Sequence, residues 1–264
     1  MRNALCTAAA FLAGLVFPTT AEAAILNGGF EDGFTAWDTI GDYRVETSSF
    51  GSGSREGTSQ AFLSTASRDE FPSGDAAPVS FIPGVNSLEG FLGLSTFLGD
   101  KSLDSLATAQ PIEGSAIKQI FTASAGQKLS FSWNFLTDES VEQAARNDFT
   151  YPDFNDFAFV TIQSDSSSEL RSLADTTSNF GDSSTPFFNE TGFRTFSYTI
   201  PTTGNYTLGI GVVDVGERTR ISGLLVDQAA VVPETTPIIG LLFLGSLGAF
   251  SLIRRSQRRS LSLL

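Results

Sequence analysis

Three features of this 264-residue sequence predict an all-β fold, an antiparallel β-sandwich of jelly-roll type. Apolar and polar side chains alternate in several short runs, the period-2 signature of strands with one buried face. Gly, Ser, Asp and Pro punctuate those runs at short intervals, as tight connections between antiparallel strands require. Helical periodicity is confined to two short pieces, Ser87–Leu98 and Glu139–Ala145.

The strands follow in order. Tyr43–Thr47, Gln60–Ser64 and Ile117–Ala123 are short candidates. The clearest run comes next, where Leu129, Phe131, Trp133 and Phe135 alternate with Lys128, Ser130, Ser132 and Asn134. Phe157–Ile162 is apolar on both faces, as a central strand would be. Phe196, Tyr198 and Ile200 alternate up to the stop at Pro201. Tyr206, Leu208, Ile210 and Val212 resume the pattern after the turn Thr203-Gly204-Asn205, and Gly223–Val226 closes the series. The runs Ser48–Ser54, Ser164–Ser168 and Ser183–Thr185 read as exposed loops. Phenylalanine, with 24 residues against one Met and two Trp, is the expected core filler.

Composition narrows the chemistry. The chain has 16 Lys+Arg, 29 Asp+Glu, no histidine and one cysteine, Cys6, inside an apolar leader. Without His and with Cys6 lost on maturation, Ser-His-Asp and Cys-His nucleophile systems, typical structural zinc sites and an internal disulfide are excluded. An acidic chain also lacks the clustered Lys and Arg that nucleic-acid backbones demand. Oxygen-ligand chemistry, carboxylate catalysis and binding without catalysis remain.

Both ends read as addresses. Residues 1–23 have the form of a signal peptide: Arg2, an apolar run from Ala4 to Val16, and the small-x-small pattern Ala21-Glu22-Ala23 for signal peptidase. Residues 24–230 form the expected β-sandwich domain. The tail, 231–259, carries Val232-Pro233-Glu234-Thr235-Thr236-Pro237, then the apolar stretch 238–253, then a basic cluster with Arg254, Arg255, Arg258 and Arg259. The apolar stretch is expected to form a transmembrane helix, with its arginines held on the cytoplasmic side. Between the two ends, Ala24–Pro233 holds 11 basic and 27 acidic residues, a net charge of −16.

This tripartite tail resembles the PEP-CTERM sorting signal of exported bacterial proteins. The resemblance implies an exosortase-type partner that acts at Val232-Pro233-Glu234, with Arg254 and Arg255 in the basic end. Thr235 stands where the family's motif has its second proline. Blocks within the body, Gly114–Ile117, Leu129–Glu139 and Phe154–Val160, resemble a recurring pattern in the same exported proteins. The opening Asn27-Gly28-Gly29-Phe30-Glu31-Asp32-Gly33, with Trp37 after it, resembles the first strand of a galactose-binding-like jelly roll, shared with carbohydrate-binding modules. Ser222–Asp227 resembles that fold's closing strand, which lies beside the first. By this resemblance Glu31 and Asp227 are candidates for a structural calcium; the alternative is that Glu31 caps a turn and Asp227 is solvated.

Between Thr137 and Asp156 lie Asp138, Glu139, Glu142, Asp148, Asp153 and Asp156, opposed only by Arg146. Such crowding calls for solvation or a bridging cation. A solvated acidic loop and a second calcium site at Asp138, Glu139, Asp153 or Asp156 are both open. Carboxylate catalysis is a third reading, but nothing selects the pair of carboxyls a glycosidase needs. Trp37, Tyr43 and Tyr151 could stack on a sugar ring if exposed together, whereas Trp37 fits core packing better. The sequence thus favours a non-catalytic exported envelope or extracellular-matrix protein, structural, adhesive or associated with exopolysaccharide. The alternative is a carbohydrate-binding module for exopolysaccharide, with a carboxylate-based hydrolase behind it.

Overall fold

A computed structural model describes residues 25–66, 75–80, 86–94, 102–139, 154–216, 218 and 220–233. Its thirteen described strands are β1 (Asp38–Ile40), β2 (Asp42–Thr47), β3 (Ser59–Ser64), β4 (Ala77–Pro78), β5 (Pro111–Ala123), β6 (Lys128–Thr137), β7 (Phe157–Gln163), β8 (Ser168–Asp175), β9 (Gly181–Asp182), β10 (Asn189–Glu190), β11 (Arg194–Thr199), β12 (Gly204–Val215) and β13 (Ser222–Val232). They build two antiparallel sheets. Sheet A runs β1-β5-β12-β7-β8, with β4 also on β5; sheet B runs β2-β3-β13-β6-β10-β9, with β11 also on β6. This is the two-sheet sandwich that the alternation predicts.

The core between the sheets is made by those alternating positions. Leu129, Phe131, Trp133 and Phe135 of β6 meet Tyr206, Leu208, Ile210 and Val212 of β12, with Leu224 and Val226 of β13 beside them. Tyr206 is fully buried, and its hydroxyl donates to the Thr202 carbonyl at 2.7 Å, so the ring enters the core without stranding its polar end. β7 is buried along its whole length because it is covered on both faces. Ala158, Val160 and Ile162 point to the main core, while Phe157 and Phe159 join a second cluster with Leu88, Leu92 and Val213 on the outer side of sheet A.

That second cluster is roofed by the single described α-helix, α1 (Leu88–Leu92). Ser87 caps its start by accepting from the Gly90 amide, and Gly93 ends it at a left-handed φ of 73°. The helix expected over Ser87–Leu98 therefore stops after Leu92, because Gly93 adopts the left-handed cap and not the helical conformation. Glu139 is not helical, and 140–145 lie outside the described residues.

One further expectation changes. Asn27–Gly33 forms turns and not a strand, with positive φ at Asn27, Phe30 and Gly33. The cause is local: Asn27 Nδ2 donates to the Gly33 and Thr35 carbonyls while its Oδ1 accepts from the Asp32 amide. The segment still lies against the last strand, since the Ala229 amide donates to the Gly28 carbonyl at 3.0 Å. β8 has no period-2 signal. It is an edge strand that blunts itself with charge, pairing Arg171 with Glu169 at 2.7 Å.

Candidate functional site

Register places a second set of side chains on the outer face of sheet B. On β2 and β3, Asp42 lies opposite Ser64 and Arg44 opposite Phe62. Phe62, Leu136, Leu225 and Phe187 form an apolar cluster there, with Phe50, Phe193 and Ile221 packed against it. Two loops complete the wall, one carrying Phe50 and the other Pro186, Phe187 and Phe188. The result is a cleft of about 120 Å³ whose lining includes Asp42, Arg44, Phe50, Phe62, Asp138 and Phe187. Its size suits one ring-sized group, below the roughly 300–1,000 Å³ of sites for larger ligands.

The floor is aromatic. Phe62 meets Phe50 at 5.5 Å and Phe187 at 6.0 Å between ring centroids. The Arg44 guanidinium lies over the Phe62 ring at 4.0 Å, while its Nε donates to Glu46 at 2.6 Å. The polar rim is held from behind. Gly41, at φ 86°, turns the chain so that the Asp42 amide donates to Ser115 Oγ at 2.8 Å. Ser115 Oγ in turn donates to the Ser64 carbonyl at 2.6 Å, and the Ser64 hydroxyl donates to Asp42 Oδ2. Asp138 follows β6 directly; its Oδ1 accepts from the Phe188 amide at 2.8 Å, which pins the aromatic loop.

Burial pushes both the Asp42 and the Asp138 carboxyls above the usual aspartate range, against the opposing pull of their hydrogen bonds and of Arg44 and Arg220. Two desolvated carboxyls in one aromatic cleft make it the candidate functional site. The shift has a checkable sign. Folded Asp42 binds its proton more tightly than the unfolded group does, so its contribution to stability falls as pH rises from 3.8 through the folded value. Asp42→Asn removes this term. Its melting temperature is expected to gain on the wild type's as pH rises above 3.8, until the folded carboxyl has titrated, in paired thermal melts. A constant difference would show that the fold does not raise the affinity of Asp42 for its proton.

Glu31 and Asp227 bind the same stretch of chain from two sides. Asp227 is fully buried, and its Oδ2 accepts from the Arg55 and Glu56 amides at 2.5 and 2.9 Å. Burial raises its pKa, opposed by these bonds. Glu31 is exposed and accepts from the Thr58 and Ser59 amides at 2.7 and 2.8 Å, which hold its carboxyl below the usual range. Both carboxylates thus anchor the loop that carries Phe50. Asp156 is tied elsewhere, accepting from the Val215 amide at 2.8 Å on sheet A, and Glu139 is buried beside Thr137. Asp153 lies outside the described residues. Among the described residues, no group of three or more acidic or cysteine side chains gathers around one metal position.

The sugar platform does not assemble from the predicted aromatics. Trp37 is buried in the core, 5.3 Å from Phe30, and its Nε1 donates to the Asn27 carbonyl. Tyr43 is half-exposed and set edge-on to Phe34, while Tyr151 lies outside the described residues. Phe50, Phe62 and Phe187 line the cleft instead, with Phe62 and Phe187 themselves buried. At the other end Val232 closes β13 and Pro233 follows it; Glu234, Arg254 and Arg255 lie outside the described residues. No helix among the described residues is long and apolar enough to cross a membrane, and 238–253 is not among them.

Fold and site together define a two-sheet antiparallel sandwich with a small aromatic and acidic cleft on the outer face of one sheet. No protein-family model matches the chain, and no curated protein matches it. Among solved structures it is similar to TmCBM61 in complex with β-1,4-galactotriose, at 13% identity and a TM-score of 0.40, covering 81% of this chain and 100% of that one. It is also similar to the K1 cleaved adhesin domain of Lys-gingipain from Porphyromonas gingivalis W83, at 11% identity and 0.38, covering 81% and 99%. A third is the CBM22-1-GH10 part of Clostridium thermocellum xylanase 10B complexed with xylohexaose, at 10% and 0.35, covering 82% and 30%.

Proposed function

We propose that the chain is an exported, non-catalytic binding module whose cleft on sheet B takes a saccharide unit of an extracellular polymer. The observation that carries this reading is the cleft itself. Phe50, Phe62 and Phe187 offer an apolar floor, and Asp42, Arg44 and Asp138 place charged hydrogen-bonding groups at its rim. A sugar ring has that same division, with C–H faces for aromatic contact and hydroxyls for carboxylates and guanidinium. The alternation-built sandwich behind the site holds it rigid, so little ordering is left to be lost on binding.

The leader and the PEP-CTERM-like tail support export by signal peptidase and an exosortase-type enzyme, with the apolar stretch 238–253 as a transient anchor. Such a module would sit in the envelope or matrix and hold exopolysaccharide. Calcium between Glu31 and Asp227 would fasten the same two segments, and a Tm lowered by EDTA would demonstrate it. The function is tested by glycan-array binding of the full chain. The expected result is capture of saccharides by the wild type and loss of capture in Arg44→Ala. A blank array on folded protein would overturn the reading in favour of a purely structural role.

A further inference from the structure

We infer that Arg44 is a displaceable cover on the cleft: its guanidinium lies where a sugar ring has to stack, and binding moves it aside along the edge of sheet B. This rests on the saccharide reading above and says how that site opens.

The floor of the cleft is shut in the free protein. Phe62 is 1% exposed, so no atom of a ligand reaches its ring in this arrangement. Three groups close in on that ring: Phe50, Phe187 and the Arg44 guanidinium, whose carbon stands 4.0 Å from the ring centroid. That separation is van der Waals contact, so the guanidinium fills the layer in which a pyranose ring would lie.

The three covers differ in how firmly they are held. Phe50 belongs to the loop whose Arg55, Glu56, Thr58 and Ser59 amides are bound by Asp227 and Glu31. The Phe50 carbonyl also accepts from Gln60 Nε2 at 3.1 Å. Phe187 belongs to the loop that Asp138 fixes through the Phe188 amide at 2.8 Å. The Arg44 guanidinium is held by side-chain contacts: Nε donates to Glu46 at 2.6 Å, Nη1 stands 3.9 Å from Asp42, and the side chain is 42% exposed. An exposed ion pair and an exposed cation–ring contact contribute about 1 kcal/mol or less each. Arg44 is the cover that yields first.

Register supplies the direction of the movement. Arg44 and Glu46 are two positions apart on β2 and so share its outer face. β2 ends sheet B, with β3 on one side and no described strand on the other. The guanidinium can swing outward toward Glu46 and keep that ion pair, so its charge stays compensated while Phe62 is bared. Asp42 keeps the hydrogen bond from the Ser64 hydroxyl throughout. Once moved, the same guanidinium has donors to offer the hydroxyls of the ring that replaces it. A site that is covered part of the time binds more weakly in proportion to the fraction of molecules that are open.

The test is an NMR titration of the full chain with phenol, a flat neutral ring that needs the Phe62 face and asks little of the charged rim. Phenol should bind Arg44→Ala about tenfold or more tightly than the wild type, and Phe62→Leu in that background should lose the gain. Glu46→Gln takes no atoms from above the ring and only loosens the hold on Arg44. It should gain severalfold, and added salt should bring the wild type toward it. No gain in Glu46→Gln, with both proteins folded by their melting temperatures, overturns the cover. A gain confined to Arg44→Ala then reports only the space left by the deleted side chain. On the glycan array, saccharide captured by the wild type should be held more tightly by Glu46→Gln and lost from Arg44→Ala, whose donors are gone. Capture without a phenol gain in Glu46→Gln overturns the cover and leaves the saccharide reading standing. A phenol gain with a blank array leaves the cover standing and overturns the saccharide reading.

Discussion

Phe62→Ala is expected to cost about 3–5 kcal/mol of stability, and with it saccharide binding. Phe62 is 1% exposed although it lies on the outer face of its sheet. Its ring is the shared partner of Phe50, Phe187 and the Arg44 guanidinium, so deletion empties the middle of the cluster. Neither flanking ring can close the gap, because each is held by its own loop through Asp227 or Asp138. Urea unfolding of the variant measures the loss. Phe62→Leu refills most of the volume and should recover more than half of it, while the stacking surface under Arg44 stays lost. Binding in Phe62→Leu should therefore remain weak even where stability returns. A cost below about 1 kcal/mol for Phe62→Ala would mean that the cluster is not packed as described.

Gly211→Val is the second large effect, at about 3 kcal/mol or more. A Cβ at Gly211 would stand 2.6 Å from Phe159 Cζ and 2.6 Å from the Ser115 carbonyl oxygen. The Phe159 ring could turn aside only by leaving the cluster under α1, and the Ser115 oxygen belongs to the neighbouring strand. β12 is paired on both sides, to β5 and β7, so it cannot shift to make room. Gly204→Ala on the same strand is the control. Nothing lies within 4 Å of its Cβ, and its stability should stay within about 0.5 kcal/mol of the wild type. Chemical denaturation of the two side by side separates overpacking from the general effect of adding a side chain to β12.

Much of the fold was legible because one-sided burial writes itself into a strand. Leu129, Phe131, Trp133 and Phe135 alternate because only one face of β6 meets the other sheet, and the same holds for Tyr206–Val212. Phe157–Ile162 broke the alternation for an equally physical reason, a second apolar layer beneath α1. β8 was invisible because an edge strand bearing Glu169 and Arg171 carries charge where a central strand carries core. Asn27–Gly33 was expected to be a strand by its resemblance to the opening of a jelly roll, whereas Asn27 closes it into turns by side-chain bonds.

The site was less legible. Glu31 and Asp227 were singled out in the sequence as a calcium pair, and in the structure each accepts amide hydrogen bonds from the loop that carries Phe50. Asp138 was singled out with the acidic stretch after β6, yet its partner Asp42 lies 96 positions away in the sequence. Alternation alone tells that Asp42 and Arg44 share a face of β2. It cannot tell that Phe62 is opposite Arg44, since that depends on the β2–β3 register.

What the sequence determined by itself is the antiparallel sandwich class, the acidic body and the absence of histidine chemistry. These follow from composition and local periodicity, which do not depend on what is brought near what. The tertiary structure decided which cluster each aromatic joins, placing Trp37 between the sheets and Phe50, Phe62 and Phe187 around the cleft outside sheet B. It also decided that Asp42 and Asp138 share that cleft. Strand pairing brings distant positions within contact, and burial then changes what a carboxylate does; neither is encoded at the residue alone.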